Sequence, residues 1–150
     1  MNNNNKNNKY YKLELKLKCK YHTQAISCST VLNDGRFAIC SHDKSIIIYN
    51  NKTFKPDLII CEHNNRVNYI LQLSSGMLAS CSDDKTIKIF NIKYNKYEVI
   101  QTLNYQRDVM KIIELTNEKL VSCSYDYYII VYSKDNNKWI LIKHFLIKLV

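Results

Sequence analysis

Three stretches of the chain repeat one phrase: FAICSHDKSIIIYN at 37–50, LASCSDDKTIKIFN at 78–91 and LVSCSYDYYIIVYS at 120–133. Their aspartates, Asp43, Asp84 and Asp126, stand 41 and 42 residues apart. A fixed period of this size constrains the fold more than any single motif. Each unit of such an array buries its apolar face only by stacking on its neighbours. The period extends beyond the phrase. Gly35 and Gly76, the chain's two glycines, are also 41 apart and sit in the turn sequences LNDGR and LSSGM. Cys40, Cys81 and Cys123 are each preceded, fourteen residues earlier, by a β-branched residue: Ile26, Val67 and Val109.

Inside a unit the pattern is strand after strand. The second copy reads as strands at 67–73, 77–82, 86–90 and 97–103, and no interval has the length or periodicity of a long helix. The third strands, SIIIY, TIKIF and YIIVY, are almost continuously apolar, as expected when both faces of a small sheet are covered. Four short antiparallel strands per unit, stacked face to face, describe the blade of a β-propeller. The fold class is therefore all-β, with three blades. Residues 12–18, where Leu13, Leu15 and Leu17 alternate with charged residues, add an N-terminal strand. The predicted organisation is a polar Asn/Lys-rich tail at 1–9 and a domain at 10–150, with repeats at about 21–61, 62–103 and 104–142.

On these residues the chain resembles the WD-repeat family over about 21–142. The resemblance implies a buried hydrogen-bonded set in each blade: a histidine before the first strand, a serine or threonine on the second, the turn aspartate, and a tryptophan on the third. The second copy offers His63, Ser80 and Asp84, with Phe90 at the tryptophan position. The first offers His22 and Asp43, with Ile39 and Tyr49 in place of serine and tryptophan. The third offers Ser122 and Asp126, with Tyr105 and Tyr132 at the histidine and tryptophan positions. Phenylalanine has no indole N–H, so Ser80 needs another partner. Glu118 stands where the other copies have glycine, which predicts a different turn geometry there. Lys143 and His144 resemble the approach to a fourth repeat.

Three blades cannot close a ring, since closed propellers have about four to eight. The expectation is association: two copies forming a six-bladed ring, or the chain completing another protein's propeller, with a truncated gene product as the remaining reading. The absence of a secretory signal, and of any stretch of roughly 20 apolar residues, predicts an intracellular, cytoplasmic protein, with the nucleus left open and no membrane contact. In that compartment cysteines stay reduced, and Cys40, Cys81 and Cys123, being part of the repeat, are expected to be small buried side chains.

The chemistry-bearing residues fit this picture. Cys19 with His22, and Cys61 with His63, match no zinc spacing, so neither a metal nor a cofactor is expected. Ser80, His63 and Asp84 have the residue types of a hydrolytic triad, but they coincide with the set that the resemblance assigns to the blade interior. No phosphate-binding loop, dinucleotide motif or HExxH is present, and the chain reads as non-catalytic. Of the net charge of +9, residues 1–20 contribute +5, through six lysines against Glu14. That arm is the basis of the alternative reading, binding of an anion or nucleic acid. The leading reading is a scaffold for protein–protein interaction. Comparison of the copies shows variation beside the fixed aspartate (His42, Asp83, Tyr125) and just before the first strand (Ala25, Arg66, Asp108). By resemblance these six lie on the face that WD-repeat proteins offer to partner peptides.

Overall fold

A computed structural model describes residues 21–125 and 127–146. Twelve strands form three four-stranded antiparallel sheets, each built from consecutive strands. Blade 1 comprises β1 (Ile26–Val31), β2 (Phe37–Ser41), β3 (Ile46–Tyr49) and β4 (Pro56–Ile60). Blade 2 comprises β5 (Val67–Gln72), β6 (Leu78–Ser82), β7 (Thr86–Lys93) and β8 (Lys96–Asn104). Blade 3 comprises β9 (Val109–Glu114), β10 (Leu120–Ser124), β11 (Tyr128–Asp135) and β12 (Lys138–Leu146). The alternating strand at 12–18 and the tail at 1–9 lie outside the described residues.

The two-residue period of the strands decides which side chains meet. Ala38, Cys40, Ile46 and Ile48 point from blade 1 toward blade 2 and meet Val67, Ile70, Leu78 and Phe90 in one core cluster. The other face of blade 2, with Ala79, Cys81, Ile87 and Ile89, meets Ile112, Leu120, Tyr132 and Trp139 of blade 3 in a second. Between blades the contacts run chiefly from one blade's first strand to the first two strands of the blade before it. The register shifts once in each outer strand pair at the same place, just before the aromatic Tyr49, Phe90 or Tyr132. Such a bulge re-aims the side chain that follows it, and all three rings end up buried.

Several features depart from the sequence expectations. Glu118 does not change its turn: its φ of 57° is left-handed like the 86° of Gly35 and 83° of Gly76. Its N–H bonds to the Leu115 carbonyl at 3.0 Å, as those of Gly35 and Gly76 bond to Leu32 and Leu73 at 2.8 Å. The closing hydrogen bond holds the geometry in spite of the Cβ. Cys40 and Cys81 are fully buried, whereas Cys123 is exposed, because among the described residues no further blade covers its face. For the same reason β11 is only half-buried along most of its length. Lys143 and His144 do not open a fourth repeat. They continue β12, paired with Val131 and Ile130.

Candidate functional site

The turn between the second and third strands of each blade positions the conserved chemistry of the repeat. In blade 2 the Asp84 carboxylate accepts four hydrogen bonds: from His63 Nδ1 at 2.8 Å, Asn64 N–H at 2.9 Å, Thr86 N–H at 3.0 Å and Thr86 Oγ1 at 2.6 Å. A carboxylate only accepts, so Nδ1 carries the proton and the Ser80 hydroxyl donates to His63 Nε2 at 2.6 Å. Ser80 thus keeps its bond to the histidine of the set, with Phe90 in place of an indole N–H beside it. Burial opposes ionisation of Asp84, but the bonds from His63 and Thr86 outweigh it and hold the carboxyl well below its ordinary value. The left-handed Lys85, at φ 68°, lets the chain double back so that Thr86 faces the carboxylate.

Blade 1 repeats the arrangement with one gap. Asp43 accepts from His22 Nδ1 at 3.0 Å, Thr23 N–H at 2.8 Å, and the N–H and Oγ of Ser45 at 3.0 and 2.5 Å. Against the opposing effect of burial, the Ser45 and Thr23 bonds lower its carboxyl to about 2. His22 Nε2, however, is enclosed without a partner, because Ile39 stands where Ser80 stands in blade 2. In blade 3 the Tyr105 hydroxyl takes the histidine's place and bonds Ser122 Oγ. Burial pushes the Tyr105 phenol far up, so it remains neutral. Asp126 lies outside the described residues.

The constellation of Ser80, His63 and Asp84 therefore has the connectivity of a hydrolytic triad, but Ser80 is 0% exposed. It ties strands together and offers no surface to a substrate. The thiols are no better placed as nucleophiles: burial, with Cys28 nearby, pushes Cys40 up to about 12, and burial raises Cys81 as well. Cys61 is exposed and His63 is committed to Asp84, while Cys19 lies outside the described residues. Among the described residues no group of three or more His, Cys, Asp or Glu is placed to hold a metal ion. No helix there is long and apolar enough to cross a membrane.

The six variable positions come together as three pairs at one end of the blades. His42 N–H bonds the Ala25 carbonyl at 2.9 Å, Asp83 N–H the Arg66 carbonyl at 3.0 Å, and Tyr125 N–H the Asp108 carbonyl at 3.4 Å. Each pair joins the start of a blade's inner strand to the residue before its turn aspartate, so the backbone there is fixed by the repeat while the side chains are free to differ. Arg66 and Ala25 are exposed, and Tyr125 is 66% exposed. His42, Asp83 and Asp108 are half-buried. Asn68 Nδ2 donates to Asp83 Oδ1 at 2.6 Å and to the Val109 carbonyl at 2.9 Å, which aims that carboxylate at the seam between blades 2 and 3.

Sequence reasoning passed over two sets of residues. The hydroxyls of Ser45 and Thr86 share each aspartate's load, and their signal was a Ser or Thr two residues after Asp43 and Asp84. The inter-blade clasps were also missed. Ser27 Oγ donates to the Val67 carbonyl as Asn68 does to that of Val109, and Gln72 and Glu114 accept from the backbone N–H of Asn33 and Ser74. Their signal was polar residues recurring at one position of the inner strands.

Comparison with known proteins agrees with this geometry. Residues 13–50 and 54–91 each match the sequence model of WD40 (WD domain, G-beta repeat), together just over half of the chain. No curated protein matches it. Among solved structures the chain is similar to the WD40 beta propeller domain of Doa1, with 25% identity and a TM-score of 0.73 over 84% of this chain. It spans 42% of that structure's length, and the three open blades correspond to part of a propeller. The repeat matched twice in sequence, and the blade architecture shared with that propeller, place the chain in the WD40 repeat family.

Proposed function

We propose that the chain is a non-catalytic interaction module that binds a protein partner through the loop pairs at one end of its blades. The observation that carries this reading is the pairing itself. Three backbone-bonded pairs hold Ala25 with His42, Arg66 with Asp83, and Asp108 with Tyr125 at equivalent sites, with a different chemistry at each. Fixed backbone with varied side chains is how a rigid scaffold presents a recognition surface. A cation at Arg66, carboxylates at Asp83 and Asp108 and the exposed Tyr125 ring suit a peptide with charged groups of both signs around an apolar anchor.

A second part of the reading is association through the uncovered face of blade 3. The six lysines of residues 1–20, the basis of the nucleic-acid alternative, lie outside the described residues, and no geometry favours that alternative. The loop reading is tested by affinity capture with mass spectrometry, comparing the wild type with Arg66→Glu and Tyr125→Ala. A partner held by the wild type and lost from both variants supports it, whereas capture unchanged by either substitution sinks it.

A further inference from the structure

Within the chain, every blade-to-blade junction has the same parts. Val67 and Ile70 of β5, and Val109 and Ile112 of β9, are buried against the preceding blade. Opposite them lie Ala38 in the first junction and Ala79 in the second, in the same core clusters. Two polar clasps frame the contact. A side chain early in one inner strand, Ser27 or Asn68, donates to the first carbonyl of the next. A loop N–H, of Asn33 or Ser74, donates to the side chain ending that next strand, Gln72 or Glu114.

The two blade faces that no described residue is shown to cover depart from this scheme at matching positions. On blade 3 the clasp donor is replaced by Met110, which cannot donate, and the small alanine by Val121. On blade 1, β1 carries Ser29 where Ile70 and Ile112 stand, and Val31 where Gln72 and Glu114 stand. Ile26 is 60% exposed although its counterpart Val67 is fully buried, and Val31 is 72% exposed. Blade 3 in turn has an apolar groove of about 290 Å³ lined by Ile113, Val121, Cys123 and Ile129, at the place that the next blade fills elsewhere.

We propose that this groove receives the first strand of a second copy of the chain, so that two copies close a six-bladed ring through two head-to-tail junctions. The proposal deepens the association reading above and rests on it. The substitutions compensate in pairs: the larger Val121 faces the smaller Ser29, Met110 faces Ile26, and Val31 faces the loop after Leu115. Each clasp loses one partner to an apolar residue, the donor at Met110 and the acceptor at Val31, so the Ile26 carbonyl and the Thr116 N–H lack these bonds at the rim and the contact between copies rests on apolar packing. Outer positions are not required, since the internal junctions run through the inner strands. Three blades plus three fall within the range of closed rings, and a two-fold axis closes the assembly without a filament.

Analytical ultracentrifugation of the 150-residue chain tests this, with an expected mass of twice 17.8 kDa at micromolar concentration. Val31→Lys and Ile26→Lys, at surface positions that leave the fold of one copy intact by circular dichroism, each weaken the dimer at least about tenfold. Val121→Asp does the same from the other side. Mixing Val121→Asp with Ile26→Lys restores a heterodimer, because one of its two junctions is then unaltered. Alkylation of Cys123 slows as concentration rises. A wild-type monomer overturns this proposal and leaves the association reading with a blade from another chain as the occupant. A dimer indifferent to Ile26→Lys and Val31→Lys overturns the head-to-tail junction alone.

Discussion

Replacing Asp84 by asparagine keeps the shape of the side chain and removes its charge, which isolates what the turn carboxylate does. Its four donors are His63 Nδ1, Asn64 N, Thr86 N and Thr86 Oγ1, and the side chain is 6% exposed. An amide can keep oxygen toward Thr86 and must then turn its NH2 toward His63 and Asn64. His63 can accept that NH2 by moving its proton to Nε2 and donating to Ser80, but Asn64 N–H is left facing a donor. Hydrogen bonds to a charged acceptor contribute about 1.5 to 3 kcal/mol each. With one recovered by the tautomer change, Asp84→Asn costs about 2 to 3 kcal/mol, a fall in Tm on the order of 4–12 °C for a chain of this size. Urea denaturation followed by circular dichroism measures this directly, with the exposed Asp57→Asn as the control. The wild type carries a second signature. Asp84 titrates below its ordinary value when folded, so the unfolded chain binds more protons in acid. The stability it supplies is complete above about pH 5 and is lost as the pH falls through the folded value. The variant loses stability less steeply across that window. A loss under about 0.5 kcal/mol, or an unchanged acid slope, refutes the view of Asp84 as the turn's tie.

Ser80→Ala leaves His63 Nε2 enclosed without a partner, as His22 Nε2 already is, and costs about 1 to 2 kcal/mol by urea denaturation. Glu118→Gly relieves a left-handed residue at φ 57° and stabilises by up to about 1 kcal/mol, while Gly76→Ala at φ 83° destabilises by a similar amount; paired thermal melts check both signs. In dilute native protein Cys61 and Cys123 alkylate readily, whereas Cys40 and Cys81 react only after denaturant is added, as peptide mass mapping reads out.

Much of the fold was legible because the period is carried by residues that cannot be exchanged freely. Asp43 and Asp84 hold their turns, the small residues at 38 and 79 admit the next blade, and the β-branched starts at 67 and 109 fill it. The surprises arise where one copy is read by analogy with another in different surroundings. Cys123 has the sequence context of Cys40 but lacks a neighbour, so identical local chemistry ends in a different exposure. Glu118 shows that a turn bonded at both ends imposes its φ on a residue that would not choose it. The clasps were illegible because Ser27, Asn68, Gln72 and Glu114 bond across blades, to backbone some forty residues away. Nothing in a single copy marks such a partner.

The unpaired Nε2 of His22 also bears on the order in which the array comes apart. In a stacked repeat each unit's persistence is its own cohesion plus what its neighbours lend. Blade 2 has the complete histidine, serine and aspartate set and a neighbour on both sides, whereas blade 1 lacks one bond of that set. Fluctuations therefore begin at the margin and travel inward, and amide protons of β6 and β7 exchange last. The middle unit is the keel on which the outer two are assembled, and β1, in one of those outer units, is what the ring-closing contact would hold down.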